Sequence, residues 1–180
     1  TMSFPGQPPY QITEQDMTWL ARCLIGEVGE NPAAWANPQT QRGGAAVLWA
    51  LANHYMTVGR KRDIYPTLMA FTRGYSQPLS ARWSSPSAEG CQRQPGMCTP
   101  ERLARRQRIQ GRSWTSMPAQ VRSLVESFVA GRLANPIGTR TDWLAASARW
   151  RQPPRDPMNV AGNVFATNPQ ARRREDVAVA

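Results

Sequence analysis

A chain of 180 residues with 41% hydrophobic content is long enough to close one core, and that content excludes disorder throughout. Its net charge of +10 is carried by arginine except at Lys61, so the partners to weigh are anionic: nucleic acid, anionic lipid or lipopolysaccharide, and bacterial cell wall. No run of eighteen apolar residues is present to span a bilayer, and Thr1 to Tyr10 lack the basic-then-apolar order of a secretory signal. Thr1 ahead of Met2 reads as a cloning remnant or the edge of a longer chain.

Residues 1–12 read as an N-terminal extension. The first predicted helix covers Glu14 to Glu27. Thr13 and Asp16 form a capping-box pattern, and Met17, Leu20, Ala21, Leu24, Ile25 and Val28 recur at helical spacing. Gly29, Asn31 and Pro32 end it. A second helix, Gly43 to Met56, is apolar nearly all round and is expected at the buried centre. Pro66 opens a short helix holding Leu68, Met69 and Phe71. Ser84 to Thr99, rich in Ser, Pro, Gly, Gln and Cys, reads as a surface excursion. Thr99-Pro100-Glu101 starts a helix whose arginines (Arg102, Arg105, Arg106, Arg108, Arg112) are expected on a solvated face. A further helix begins near Pro118, carries Val121, Leu124, Val125 and Phe128, and closes at Gly131. Val160 to Ala166 reads as a short strand. The tail, 169–180, holds three consecutive arginines and is expected to fray. Trp19, Trp49 and Trp83 are expected in the core. With no internal repeat, one mainly helical domain over 13–168 is the expectation, with 84–112 as an insertion.

Cys91 and Cys98 flank a Pro-Gly turn and could bridge in an oxidising place, whereas Cys23 falls inside the first helix. With His54 as the single histidine and no finger-like spacing, no metal site and no cofactor are expected.

Twelve carboxylates make a shortlist of acids possible. Glu14 and Asp16 at a helix start, and Glu175 and Asp176 in the tail, read as solvated. Glu27 differs, because about 100° per residue places it beside the Leu20/Leu24 stripe at the edge of the buried face. It also sits in the last turn, where the negative end of the helix dipole disfavours another negative charge. Burial and dipole both push a carboxyl pKa upward, as suits a general acid working near neutral pH. An ordinary boundary glutamate paired with an arginine is the competing reading.

Leu20 to Trp35 (LARCLIGEVGENPAAW) resembles the first helix and Gly-Glu turn of the cell wall hydrolases typified by the catalytic domain of spore cortex-lytic enzymes. Arg42 to Tyr55 (RGGAAVLWALANHY) is similar to the Ala/Val-rich helix that follows in that family. Tyr65 to Pro78 resembles the segment leading into its substrate groove. Val121 to Ala145 resembles its late helix and aromatic turn, and Val160 to Ala166 its closing segment. The resemblance is co-linear from Leu20 to Ala166. It departs from the family pattern in a gap between the two glutamates one residue shorter, in Thr141-Asp142-Trp143 where the family has a histidine, and in a closing segment that also lacks one.

The resemblance implies an α+β domain, mainly α, with a lysozyme-like or lytic-transglycosylase-like fold and a minor β element. It implies Glu27 as the catalytic acid/base, with Glu30 mainly structural. The protonated carboxyl would donate to the oxygen between N-acetylmuramic acid and N-acetylglucosamine. In a transglycosylase it would then take the proton of the muramyl C6 hydroxyl, whereas a hydrolase would activate water, often with a second carboxylate. Asp142 is the nearest candidate for that second acid, although a turn role fits it better, and this tilts the reading toward a transglycosylase. Tyr75, Ser76, Gln77, Asp142 and Trp143 are the expected substrate-binding residues. His54 reads as helix surface or core.

The expected partners are peptidoglycan glycan strands, with anionic envelope components adsorbing to the positive charge. A phage endolysin or virion-borne lytic domain, delivered to the periplasm or wall from the host cytoplasm or a virion, fits the missing signal. Two other readings compete. One is an inactive lysozyme-like structural virion protein. The other is an Arg-rich nucleic-acid-binding module, which no recognised motif supports.

Overall fold

The computed structural model describes residues 1–3, 8–59, 64–145 and 153–167. Among the described residues six α-helices are followed by a small antiparallel sheet, an α+β arrangement. The tail at 169–180 lies outside the described residues. Among the described residues no helix is long and apolar enough to cross a membrane.

Helix α1 spans Glu14–Glu27 and starts at the expected capping box, Thr13 accepting from the Asp16 amide while Asp16 accepts from Thr13. Asp16 is not solvated. It is fully buried and also accepts from the Tyr10 hydroxyl (2.9 Å) and the Met69 amide (2.7 Å). One carboxylate thereby serves two helix starts: at α3 (Leu68–Tyr75) the Thr67 side chain accepts from the Ala70 amide and Asp16 takes the Met69 amide. Tyr10 accepts in turn from the Leu68 amide. Met2, Tyr10 and Ile12 are buried, so part of the N-terminal segment is core rather than an appended extension.

Helix α2 (Pro38–His54) starts five residues before Gly43, at an Asn37 cap with Pro38 in its first turn. It continues into a π-helical turn, Tyr55–Gly59. Its apolar circumference is buried against α1, α6 (Ala119–Val129) and the sheet. Among the described tryptophans Trp35 is fully buried; Trp19 and Trp49 pack against the core but are half-buried, and Trp83 is half-buried outside that cluster. Gly44 makes the burial of Trp35 possible, since a Cβ there would meet the Trp35 ring at 2.9 Å. Trp19 lies instead beneath the guanidinium groups of Arg22 and Arg73, whose charge keeps that face at the surface.

The excursion at 84–112 is ordered by a Cys91–Cys98 disulfide, which joins α4 (Glu89–Arg93) to a 3-10 turn at Pro95–Met97. Helix α5 follows at Pro100–Gln110. Helix α6 ends at Gly131, whose φ of +70° suits a residue without a Cβ.

The single strand expected at Val160–Ala166 is a hairpin. Strands β2 (Arg155–Val160) and β3 (Asn163–Thr167) are joined by Ala161-Gly162, both at positive φ, the geometry of a type I′ turn. Strand β1 (Asp142–Ala145) pairs with β3, Trp143 opposite Phe165, giving the order β1-β3-β2. Asn53, near the end of α2, donates to the carbonyls of Gly138 and Arg140 (both 2.8 Å), and so pins the loop that delivers β1.

Candidate active site

Four helix and strand ends meet around Glu27. It is the last residue of α1, His54 the last of α2, Tyr75 and Ser76 the end and C-cap of α3, and Asp142 and Trp143 the start of β1. The approach of α1 to the turn after α3 is close because Gly26 has no side chain. A Cβ there would stand 2.9 Å from Pro78 Cβ. That contact brings Ser76 against Glu27, and Ser76 Oγ donates to Glu27 Oε1 at 2.7 Å.

Glu27 is half-buried, at the boundary that its helical position predicts. Burial pushes its pKa up, which wins over the opposing pull of hydrogen bonds from Ser76 and the Trp143 indole and of the Arg105 charge. Ser76 is itself buried, and a hydroxyl can donate to the carboxylate or accept from the carboxylic acid. It therefore holds either protonation state in place. Cys23, four residues before Glu27 on the same helix face, is buried with its thiol pKa raised by burial first and by Glu27 second.

Asp142 is held from two sides. Tyr75 OH donates to its Oδ1, and Thr141 Oγ1 donates to Oδ2 at 2.8 Å. His54 Nδ1 lies 3.9 Å from Oδ1, and the imidazole packs edge-on to Tyr75 with ring centroids 4.6 Å apart. The Tyr75 hydroxyl has a pKa well above the ordinary phenol range, through burial first and then the charges of Asp142 and Glu27. Tyr75 thus stands electrostatically between the two carboxyls, and its ring meets Trp143 at 5.8 Å.

The structure brings Glu27, Tyr75, Ser76, Asp142 and Trp143 together. Gln77 is exposed and lines a separate cleft toward α5. Of the two places read for His54, helix surface or core, the structure shows the core: it is buried against Phe71 and Tyr75, and what sequence reasoning missed is its position beside Asp142. Its helix face pointed only to the core, and its carboxylate partner lies 88 residues away in the chain.

The arginines of α5 are not a uniformly solvated face. Arg105 donates to Glu30 Oε2 (2.8 Å) and to the Gly26 carbonyl (3.0 Å), one of the acceptors left over at the end of α1. Arg106 is buried and donates to the carbonyls of Met97 (2.7 Å) and Trp83 (3.1 Å). Glu30 takes both Arg105 and Arg108, which hold its pKa below the ordinary carboxylate range, Arg108 contributing most. Two glutamates three residues apart are therefore driven in opposite directions, Glu27 up and Glu30 down.

Among the described residues no group of three or more His, Cys, Asp or Glu side chains is arranged to hold a metal ion. Comparisons with protein-family models, with curated proteins and with solved structures give no match.

Proposed function

We propose that the chain is a peptidoglycan-cleaving glycosidase of the lysozyme-like class, acting between N-acetylmuramic acid and N-acetylglucosamine as a lytic transglycosylase. One observation carries the proposal: a half-buried glutamate at a helix end, its pKa raised by burial, accepting a hydrogen bond from a buried serine. Glu27 in its protonated form gives its proton to the glycosidic oxygen as the C1–O bond breaks. The resulting carboxylate takes the proton of the muramyl C6 hydroxyl as that oxygen bonds to C1, which closes a 1,6-anhydro ring and restores the acid.

The carboxylates flanking the site favour this route over hydrolysis. Asp142 has both oxygens engaged by Tyr75 and Thr141, and Glu30 is paired with two arginines, so neither is placed to activate water. Trp143, half-buried beside Glu27, offers an aromatic face for a sugar ring. In this reading the enzyme is phage-borne and meets the wall after delivery from a virion or the host cell.

The test is loss of turbidity of outer-membrane-stripped Gram-negative cells, wild type against Glu27→Gln, with mass spectrometry of the released muropeptides. Clearing by wild type alone, with 1,6-anhydro ends, is expected. No clearing by wild type would leave a structural virion protein as the better reading, and reducing ends would make the enzyme a hydrolase.

A further inference from the structure

The excursion and α5 build a feature that the chemistry at Glu27 does not use. A cleft of about 360 Å³ is lined by Gln77, Pro78, Met97, Arg102, Arg105 and Arg106. It borders the residues beside the Glu27–Ser76 contact. Gln77 follows Ser76 in the chain, and Arg105 donates to the carbonyl of Gly26, which precedes Glu27.

Three guanidinium groups around one small cleft repel one another. The pKa of Arg106 is lowered by burial first and then by the charges of Arg102 and Arg105. Glu30 offsets them in part, facing Arg105 and Arg108, and Arg105 also acts on the Glu27 carboxyl. Arg102 is exposed and spends Nη1 alone, on Gly96 O (3.0 Å) and Met97 Sδ. Its Nε and Nη2 have no side-chain or backbone partner among the described residues. Those two nitrogens are the side-on edge of a guanidinium, which matches the two oxygens of a carboxylate. Behind it, Arg106 is locked to Trp83 and Met97, so the wall of the cleft is preorganised.

Resting on the glycosidase reading, we propose that this cleft is a carboxylate subsite for the peptide stem that peptidoglycan carries on N-acetylmuramic acid. The free edge of Arg102 pairs with a stem carboxylate, and Arg105 and Arg106 supply the surrounding positive potential. A glycan strand with its stems is then held beside Glu27 more firmly than a bare strand. A guanidinium fork takes carboxylate and phosphate alike; carboxylate is chosen because the stem of the proposed substrate carries it, and the phosphate titration tests the other.

The decisive measurement is calorimetric titration of a free tripeptide stem ending in diaminopimelate into the wild-type protein and into Arg102→Gln. The same titrations are made with the fully amidated stem, inorganic phosphate and a short DNA duplex. Arg102 is exposed and anchors no core contact, so the variant folds. The stem binds wild type, and either Arg102→Gln or amidation weakens it about tenfold. Binding indifferent to both changes overturns the subsite, and tighter binding of phosphate or of the duplex reassigns the cleft to phosphate groups. A second arm compares cleavage of stem-bearing strands with strands stripped by an amidase. Equal rates overturn the subsite and leave the glycosidase standing, whereas cleavage of neither sinks the glycosidase reading while the titration still decides the subsite.

Discussion

Ser76 Oγ lies 2.7 Å from Glu27 Oε1, and this one contact joins the end of α1 to the end of α3. It tunes the Glu27 carboxyl as well as placing it, because the hydrogen bond lowers a pKa that burial raises. Removing it in Ser76→Ala therefore raises the Glu27 pKa further. The alkaline limb of the pH–rate profile moves to higher pH, and the maximal rate falls about tenfold through lost orientation. A limb that stays put would show that Ser76 does not act on the reacting carboxyl.

Glu27→Gln separates activity from stability. On the proposed glycosidase reading, loss of the general acid lowers turnover by about a hundredfold or more. The stability effect has the opposite sign. A carboxyl whose pKa is raised by folding contributes fully below its unfolded pKa of about 4.3, and that contribution is lost as pH rises through the folded value. At pH 7 to 8 the charged Glu27 is thus a penalty, and Glu27→Gln melts at a higher temperature than wild type. The gap closes as pH falls toward 4, which calorimetry in a pH series will show.

Gly26→Ala tests the close approach that builds the site. The added methyl meets Pro78 Cβ at 2.9 Å, overpacking the contact at a cost of about 1–3 kcal/mol. Because Pro78 is two residues from Ser76, activity falls further than stability alone accounts for. Urea unfolding and turbidity assays on the same preparation distinguish the two.

Tyr75→Phe leaves Oδ1 of buried Asp142 without its hydroxyl donor. A buried acceptor stripped of a partner costs about 1–3 kcal/mol. Thr141 and His54 still face Asp142, so the fold survives with a lowered melting temperature. Asp142→Asn, made in the Tyr75→Phe background, adds less than it does alone, the signature of a coupled pair.

Breaking the Cys91–Cys98 bridge acts on the cleft rather than on Glu27. The bridge closes a short loop, so chain entropy sets its contribution at about 2–3 kcal/mol at most. Cys91→Ser or reductant loosens the Met97 carbonyl that Arg106 holds and weakens anion binding there. Cleavage of stripped glycan strands changes little, which a parallel rate measurement checks.

Local chemistry wrote much of this protein plainly into its sequence. The capping box at Thr13–Asp16, the apolar circumference of α2, the Thr99-Pro100 start of α5 and the Gly131 stop of α6 are all short-range patterns, and each helix formed where its pattern lies. Glu27 was legible for the same reason, since helix periodicity fixes its angle to the buried stripe. Partners distant in sequence were not legible. Asp16 looked solvated because its second role, capping α3, depends on residues 53 positions away. Arg106 looked like surface charge because its carbonyl acceptors belong to an excursion ordered by a disulfide. β1 was missed because a four-residue strand takes its stability from pairing with β3 rather than from its own pattern. Sequence by itself determined where α1, α2, α5 and α6 form, though not α4 inside the excursion, and which glutamate stands at the core's edge. Only tertiary packing decided that Ser76 and Trp143 would reach that glutamate, and that its neighbour Glu30 would be held by arginines.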